Sequence, residues 1–198
     1  FNPMGVSDAE LAELHTKKFA VMDDAVGEKM QERILQAKSE LNSVGGVIEA
    51  IALHLPAGIG APYFDSVESM LSHALFSVPA VKGVEFGDGF GFARLTGAEA
   101  NDALHYVDGK VKALTNHNGG VTGGITNGMP FVVRVAIKPT PSIAREQQTV
   151  SLKEQADTTL AIVGRHDPCI VQRVVPVIEA VVAWTLWDLL LEAKKWEK

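Results

Sequence analysis

Three polar stretches in the second half of the chain carry residue types that could bind an anionic ligand. They are the glycine-rich segment 116–124, the segment 138–142 and the segment 164–169, which reads Gly-Arg-His-Asp-Pro-Cys. Each combines polar side chains with glycines or prolines, which free or fix the backbone and so allow a rigid pocket wall to form. We therefore expect the three stretches to meet in space around one anion.

The middle stretch could hold a phosphate group. A lysine at the end of an apolar run is followed by two hydroxyl side chains among prolines, in the order Lys138, Pro139, Thr140, Pro141 and Ser142. A cation and pre-oriented hydroxyl donors suit a dianion, because a chain with a net charge of −6 must gather positive charge locally. The alternative interpretation is an ordinary proline-rich surface turn.

The third stretch places a cation, an imidazole and a carboxylate at consecutive positions, Arg165, His166 and Asp167. In isolation, Asp167 would equally suit the cap of a following helical turn. The spacing of His117, His166 and Cys169 fits no zinc-binding pattern, and we predict no metal site.

The first stretch contains two glycine pairs, at 119–120 and 123–124. Glycines let backbone N–H groups approach a ligand, but these pairs equally suit two tight turns that lead into the next strand. A further glycine-rich segment at 87–91 lacks the strand–helix context of a dinucleotide fingerprint, and its Asp-Gly step predicts a hairpin.

Composition and charge narrow the class of protein. With 198 residues, of which 46% are hydrophobic, the chain is long enough for a sizeable core. It has 18 basic against 24 acidic residues and no basic run, so we expect no nucleic-acid partner. One cysteine excludes an internal disulfide framework and fits a reducing compartment, for which the cytoplasm is the default.

One apolar run, at 174–191, has the length of a membrane span. Glu179 and Asp188 interrupt it, and Pro176 lies near its start. Burying these carboxylates in a bilayer would be costly, roughly 2.5 kcal/mol or more for an aspartate. We therefore predict a buried helix of a soluble fold and no membrane partner.

The hydrophobic periodicity and the turn residues predict an α+β fold rather than strict βα alternation. A serine at position 7 suits a helix cap. The predicted helices cover approximately residues 8–19, 24–41, 66–78, 98–106 and 174–191, and the predicted strands cover approximately 47–53, 81–86, 90–95 and 131–137.

Together with three further segments, the polar stretches resemble the chorismate synthase family of flavin-dependent lyases. These segments are 43–47 (Ser-Val-Gly-Gly-Val), 79–87 (Pro-Ala-Val-Lys-Gly-Val-Glu-Phe-Gly) and 173–180 (Arg-Val-Val-Pro-Val-Ile-Glu-Ala). The resemblance is good from residue 43 to residue 191 and loose before that.

Only the C-terminal half of the family's chain is matched. The Gly-Glu-Ser-His-Gly segment and the Arg/Ser/Ala-rich segment, which supply two catalytic histidines in family members, do not occur here. The chain also begins at Phe1 without an initiator methionine. We therefore expect a piece of a longer protein, with a helical lead-in over 1–42 and a flavin-site half over 43–198.

The resemblance implies a β-α-β sandwich, with helices between antiparallel sheets, and a homotetrameric parent. It implies the anti-1,4-elimination of phosphate from 5-enolpyruvylshikimate 3-phosphate to give chorismate with reduced FMN, and NADPH if the parent also reduces its flavin. Lacking half of its site, the chain alone is expected to be inactive and to bind flavin weakly or not at all.

The resemblance also implies roles for individual residues. Pro79, Ala80 and Gly123 would contact the flavin, and the loop 138–142 would hold its phosphate and ribityl chain. Arg165 would reach both flavin and substrate as a catalytic residue and the first candidate cation for the departing phosphate, and His166 would contact substrate. Asp167 would lie near the flavin ring as a catalytic residue. Arg134 is a second candidate cation for the departing phosphate, although its place on a strand equally suits a structural role.

Two alternatives of other classes remain open. The long apolar helix would suit a non-catalytic scaffold or association fragment. The lysine-bearing loop would suit an unrelated phosphate- or nucleotide-binding protein.

Overall fold

The computed structural model describes residues 3–164 and 166–195. The helices are α1 (Asp8–Leu14), α2 (Asp24–Ser39), α3 (Val67–Phe76) and α4 (Val171–Lys194), with 3-10 turns at Pro3–Gly5 and Gly89–Arg94. The strands are β1 (Gly46–Ala52), β2 (Val81–Phe86), β3 (Leu104–Val107), β4 (Lys110–Ala113), β5 (Val121–Thr122), β6 (Ile125–Thr126), β7 (Phe131–Ile137), β8 (Gln147–Ser151) and β9 (Ala156–Leu160).

A three-stranded antiparallel sheet with the order β1-β7-β2 forms the centre of the fold. The central strand β7 is almost entirely β-branched or aromatic, which suits a strand that has neighbours on both edges. In the register of the sheet, Glu49 on β1 and Glu85 on β2 both lie opposite Arg134. Because β1 and β2 are both antiparallel to β7, they run in the same direction, and α3 connects them across the sheet.

Helices α3 and α4 pack against one face of this sheet and against each other. The buried side chains of this core are Ile48, Ala50, Val67, Leu71, Leu75, Phe131, Val133, Val135, Ile178, Val182, Leu186 and Leu189. Each fully buried Val, Leu, Ile or Phe contributes roughly 1.5–3 kcal/mol of transfer free energy, so this interface holds the central unit together. It also fixes where the two ends of β7 lie.

Three two-stranded hairpins, β3–β4, β5–β6 and β8–β9, accompany the central sheet. The strand β9 is exposed along its whole length. Isolated two-stranded hairpins are marginally stable. The β5–β6 hairpin is instead joined to the core, because Val121 and Thr126 are buried and the Gly124 carbonyl accepts the Val67 N–H.

The predicted α+β class is confirmed, and the described residues supply one sheet and the helical layer of a β-α-β sandwich. The strands at 81–86 and 131–137 have the predicted bounds. The predicted cap is also confirmed, since Ser7 and Glu10 form a capping box at the start of α1. That helix ends at Leu14 instead of Phe19, and beyond it the Thr16 and Lys17 N–H groups bond to carbonyls three residues earlier, at 2.9 and 3.1 Å, instead of the helical i−4 carbonyls.

Two predicted elements are wrong. The segment 90–95 is not a strand, because the Glu85 carboxylate accepts the Phe90 N–H at 3.1 Å and a 3-10 turn forms there. The segment 98–106 is not a helix, because its second half becomes β3 and pairs with β4. Asp108 and Gly109 join these strands with φ values of +49° and +75°, which two-residue hairpin turns require.

The predicted apolar helix is confirmed as α4, although it begins at Val171 and carries Pro176 in its second turn. By length and composition it could cross a membrane, with a mean hydropathy of 1.8 over its most apolar window. Only 22% of that window is buried in the described chain, and the core helix of a soluble protein passes the same test. The exposed side of α4 is the side on which a β-α-β sandwich has its second sheet.

Candidate functional site

Two of the three predicted polar stretches meet at the end of the sheet where β7 ends and β1 and β2 begin. The Lys138 N–H donates to the Ala80 carbonyl at 2.9 Å, which joins the segment 79–80 to the loop 138–142. The segment 166–168 completes this group of residues, which we call the strand-end cluster. Ala80 has a φ of +74°, a conformation that is uncommon for a residue with a Cβ.

The segment 43–45 holds the strand-end cluster together. The Ser43 hydroxyl donates to the Thr140 carbonyl at 2.6 Å, and the Val44 N–H donates to the Pro168 carbonyl at 2.8 Å. An ideal Cβ at Gly45 would lie 2.3 Å from the Ile137 carbonyl oxygen, so the backbone passes too close for any side chain. These contacts fix the loops 138–142 and 166–168 relative to one another.

The loop 138–142 presents polar groups that no other described residue uses. Lys138 is exposed and forms no ion pair with the described carboxylates. The hydroxyls of Thr140 and Ser142 are likewise without a hydrogen-bond partner within the described ranges 3–164 and 166–195. One five-residue loop thus carries an ammonium and two hydroxyls that no described side chain engages, a donor set that suits a phosphate. The residues present therefore fit the phosphate end of a flavin mononucleotide.

His166 and Asp167 lie in the same cluster, but the Asp167 carboxylate is already engaged. One of its oxygens lies 3.2 Å from Arg173 Nε, and the other accepts the Cys169 N–H at 3.2 Å. In this chain Asp167 therefore makes the contacts of a turn cap, which was the alternative prediction for this residue. His166 Nε2 lies 2.8 Å from the Ile162 carbonyl, so this nitrogen is the donor and Nδ1 is left for another partner.

The thiol of Cys169 lies beside Asp167 and is partly buried. Burial raises its pKa, and the neighbouring charge of Asp167 raises the pKa further. A thiol with a raised pKa carries little thiolate at neutral pH.

Arg165 lies outside the described residues. Its predicted contacts with flavin and substrate therefore stay predictions.

Gly123 is not part of the strand-end cluster. Its neighbour Gly124 accepts the Val67 N–H at 3.0 Å, at the first residue of α3, whereas Ala80 follows the last turn of that helix. A helix of ten residues is roughly 15 Å long, so Gly123 and Lys138 lie near opposite ends of the central unit. A Cβ on Gly123 would meet no atom within 4 Å, which leaves this glycine with open space beside it.

The rest of the segment 116–124 is tied into the fold by its own polar groups. The Asp102 carboxylate accepts hydrogen bonds from the Thr115 hydroxyl, the His117 N–H and both the backbone and side chain of Asn118, at 2.7 to 3.0 Å. Burial acts to raise the pKa of Asp102, but these hydrogen bonds outweigh it and lower the pKa overall. His117 Nδ1 lies 2.6 Å from Asp88 Oδ2 and closes the same network.

Arg134 also serves the fold. It lies on the sheet face opposite the helices, where its Nε is 3.1 Å from Glu85 Oε1 and its terminal nitrogen donates to the Gly87 carbonyl. Burial raises the pKa of Glu49 across the strand, and the Arg134 charge opposes that rise. With these partners, Arg134 is less available to a departing phosphate than Lys138 is.

A shallow depression borders the strand-end cluster. Its volume is about 200 Å³, and it is lined by Lys38, Leu41, Asn42, Ala144, Gly164, His166 and Pro168. Pockets for ligands of cofactor size usually enclose roughly 300–1,000 Å³. The described part of the chain therefore provides one wall for such a ligand rather than an enclosing pocket.

Sequence reasoning missed three residues that shape these regions, namely Ser43, Asp102 and Arg173. Ser43 and Arg173 lie in segments that carry the family resemblance, but neither had a local signal for its contact. Asp102 lies 14 positions before Asn116, and its carboxylate accepts the His117 N–H. The predicted helix at 98–106 gave no reason to expect this contact.

Comparison with known proteins covers nearly the whole chain. A sequence model described as chorismate synthase matches residues 4–191. The chorismate synthase of Thermococcus gammatolerans is 50% identical over 175 residues, which are 88% of this chain and 49% of that protein. The chorismate synthase of Chitinophaga pinensis is 50% identical over 175 residues, which are 88% of this chain and 51% of that protein.

A solved structure agrees. The crystal structure of a chorismate synthase aligns with 94% of this chain at a TM-score of 0.73 and 31% sequence identity. This chain spans 50% of that protein, and it spans about half the length of the curated relatives. From the family match, the identities and the fold, this chain belongs to the chorismate synthase family.

Proposed function

We propose that this chain is one half of a chorismate synthase. The complete enzyme is a carbon–oxygen lyase that eliminates phosphate from 5-enolpyruvylshikimate 3-phosphate and forms chorismate in the presence of reduced FMN. The observation that carries the proposal is the strand-end cluster, which lies within the family match and offers a cation and two hydroxyls that have no side-chain partner among residues 3–164 and 166–195. We place the enzyme in the cytoplasm and expect the complete protein to be a homotetramer.

In this proposal the loop 138–142 binds the FMN phosphate. The Lys138 ammonium neutralises part of its charge, and the hydroxyls of Thr140 and Ser142 donate hydrogen bonds to its oxygens. Ser43 keeps this loop in place through its bond to the Thr140 carbonyl. When bound, reduced FMN would supply the electron density that lets the carbon–oxygen bond to the substrate phosphate break.

The remaining predicted residues position and enclose the ligand. Pro79 and Ala80 offer backbone atoms beside Lys138, and Gly123 offers an open backbone at the other end of the central unit. His166 keeps one ring nitrogen for substrate. Asp167, held by Arg173, orients the loop that carries Arg165 and lies near the flavin ring. NADPH is a further ligand if the complete enzyme reduces its own flavin.

The test is a chimera in which this chain replaces its 175-residue counterpart in the Thermococcus gammatolerans enzyme. We expect the chimera to convert 5-enolpyruvylshikimate 3-phosphate and reduced FMN into chorismate and phosphate. The isolated 198-residue chain is the matched control and should form no chorismate. A folded chimera without activity would contradict the proposal. Chorismate formation by the isolated chain would contradict the claim that the enzyme needs both halves of its chain.

A further inference from the structure

A lysine in the last turn of α2 lines the shallow depression beside the strand-end cluster. Lys38 is exposed and forms no ion pair with a carboxylate in the ranges 3–164 and 166–195. The neighbouring acid, Glu40, accepts a hydrogen bond from Gln36 Nε2 at 2.9 Å instead. The positive charge of Lys38 is therefore available to a ligand in the depression.

The end of α2 holds Lys38 in a fixed place. The Leu41 N–H donates to the Lys38 carbonyl at 3.1 Å. The Asn42 N–H donates to the Ala37 carbonyl at 2.9 Å, which completes a Schellman motif. Leu41 has the positive φ that this motif requires, +55°, although glycine is usual there. Because the segment 43–45 then joins the strand-end cluster, the backbone alone fixes where Lys38 lies, and its side chain is left free.

Two other polar side chains line the same depression. The Asn42 side-chain oxygen accepts the Ser43 N–H at 2.9 Å, so the amide NH₂ remains as a donor. His166 donates through Nε2 to the Ile162 carbonyl, and its Nδ1 has no partner in the described part of the chain. An ammonium and an amide NH₂ suit an oxyanion, and a neutral imidazole nitrogen can accept a hydrogen bond from a hydroxyl beside it.

We propose that Lys38 binds an anionic group of the substrate, so that the depression is a second oxyanion subsite beside the loop 138–142. This inference rests on the proposed function. The substrate 5-enolpyruvylshikimate 3-phosphate carries two carboxylates and a phosphate, and its site therefore needs positive charge beyond the lysine that serves FMN. At about 200 Å³ the depression suits one acidic group and not a whole flavin.

Two other uses of Lys38 predict different results. A lysine in the last turn of a helix interacts favourably with the helix dipole, and Lys38 would then matter for stability alone. If the FMN phosphate lies in the depression, Lys38 and Lys138 bind the same group. The substrate is the better occupant, because His166, which the proposed function assigns to substrate, lines the depression as well.

The test measures the dissociation constant of 5-enolpyruvylshikimate 3-phosphate for the chimera by isothermal titration calorimetry. Oxidised FMN is present, so that no turnover occurs. Lys38→Gln removes the charge and should raise the Kd about 10-fold, and Lys38→Arg should restore it to within a few-fold. Lys29→Gln, at an exposed position about two and a half turns earlier on α2, is the matched control and should leave the Kd unchanged. An unchanged Kd in Lys38→Gln, or equal changes in the two glutamine variants, would overturn the proposal.

Flavin binding distinguishes the two sources of the anionic group. The Kd of FMN should be the same for the chimera and its Lys38→Gln variant. If the variant binds FMN more weakly, binds riboflavin equally well and keeps its affinity for the substrate, the flavin phosphate occupies the depression and the proposal is overturned.

Thermal unfolding distinguishes ligand binding from a role in the fold. Lys38→Gln should change the midpoint of the 198-residue chain no more than Lys29→Gln does, because both side chains are exposed. A much lower midpoint for Lys38→Gln alone would assign Lys38 to the end of the helix and overturn the proposal. An inactive chimera whose affinity for the substrate still depends on Lys38 would contradict the proposed function alone. A folded chimera that does not bind the substrate would contradict both.

Discussion

The two ends of the central strand β7 differ in how their polar groups are used. The first end of β7 follows the glycine-rich segment 116–124, whose polar groups bond to other groups of the protein. The second end of β7 precedes Lys138, whose ammonium group has no described carboxylate partner. Both ends are rich in the residue types that bind ligands. At the first end, Asp102 and Asp88 satisfy the donors of the loop. At the second end the donors remain available. Motif composition therefore indicates a site only when its polar groups are left unsatisfied by the fold.

The largest expected effect concerns the packing of the first end. A Cβ at Gly87 would lie 2.0 Å from the His117 carbonyl oxygen, and the residue has a φ of +54°. We expect Gly87→Ala to lower the unfolding free energy of the 198-residue chain by about 3 kcal/mol or more, measured by urea denaturation. Gly123→Ala, at a φ of +62° in open space, is the control and should cost about 1 kcal/mol. Equal losses would show that the first end is not tightly packed.

The next effect concerns the charge that holds this end together. Asp102→Asn should lower the unfolding free energy at neutral pH by about 1 kcal/mol, a low value because the carboxylate is partly exposed. The folded-state pKa of Asp102 is lowered, so its contribution is complete above the unfolded-state pKa of about 3.9 and is lost as the pH falls through the folded-state pKa. Urea denaturation from neutral to acid pH should therefore show the difference from wild type disappearing.

The control for this titration is Asp108→Asn, which removes a charge from an exposed turn where asparagine tolerates the positive φ. It should change the stability little at any pH. If it destabilises the chain as much as Asp102→Asn does, the effect comes from net charge and not from the hydrogen-bond network.

An effect on stability of similar size is expected at the second end of β7, where β7 meets the loop 138–142. Ser43→Ala removes the hydrogen bond to the Thr140 carbonyl and should lower the unfolding free energy by about 1 kcal/mol. In the chimera it should also weaken FMN binding a few-fold, because the loop 138–142 is held less firmly. Ser39→Ala on the exposed surface of α2 is the control. Unchanged FMN binding in a folded Ser43→Ala chimera would show that this contact does not position the loop.

The local sequence pattern was sufficient to predict the bounds of the strands at 81–86 and 131–137. Their apolar and β-branched residues reflect burial of the sheet against the helices. The pattern failed at 98–106, where an alanine-containing segment favoured a helix, although the Asp108-Gly109 hairpin signal lay just beyond it. It also failed at 90–95, where the deciding contact comes from Glu85. Contacts such as these form between segments and have no local signature.

The candidate site was predictable to a similar extent. The proximity of 79–80, 138–142 and 166–168 follows the expectation that the polar stretches meet. The separation of Gly123 from them did not follow, because the sequence does not show that α3 lies between Gly124 and Ala80. The roles assigned to these residues by resemblance stay predictions.

The central claim is that Lys138 and its neighbouring hydroxyls bind the phosphate of FMN. Its most direct test compares the dissociation constants of FMN and riboflavin, which differ only in this phosphate, for the chimera and its Lys138→Ala and Lys138→Arg variants by isothermal titration calorimetry. We predict that Lys138→Ala raises the Kd of FMN by about 10- to 100-fold, leaves that of riboflavin unchanged, and is partly rescued by arginine. Equal changes for both flavins, or none for FMN, would contradict the account.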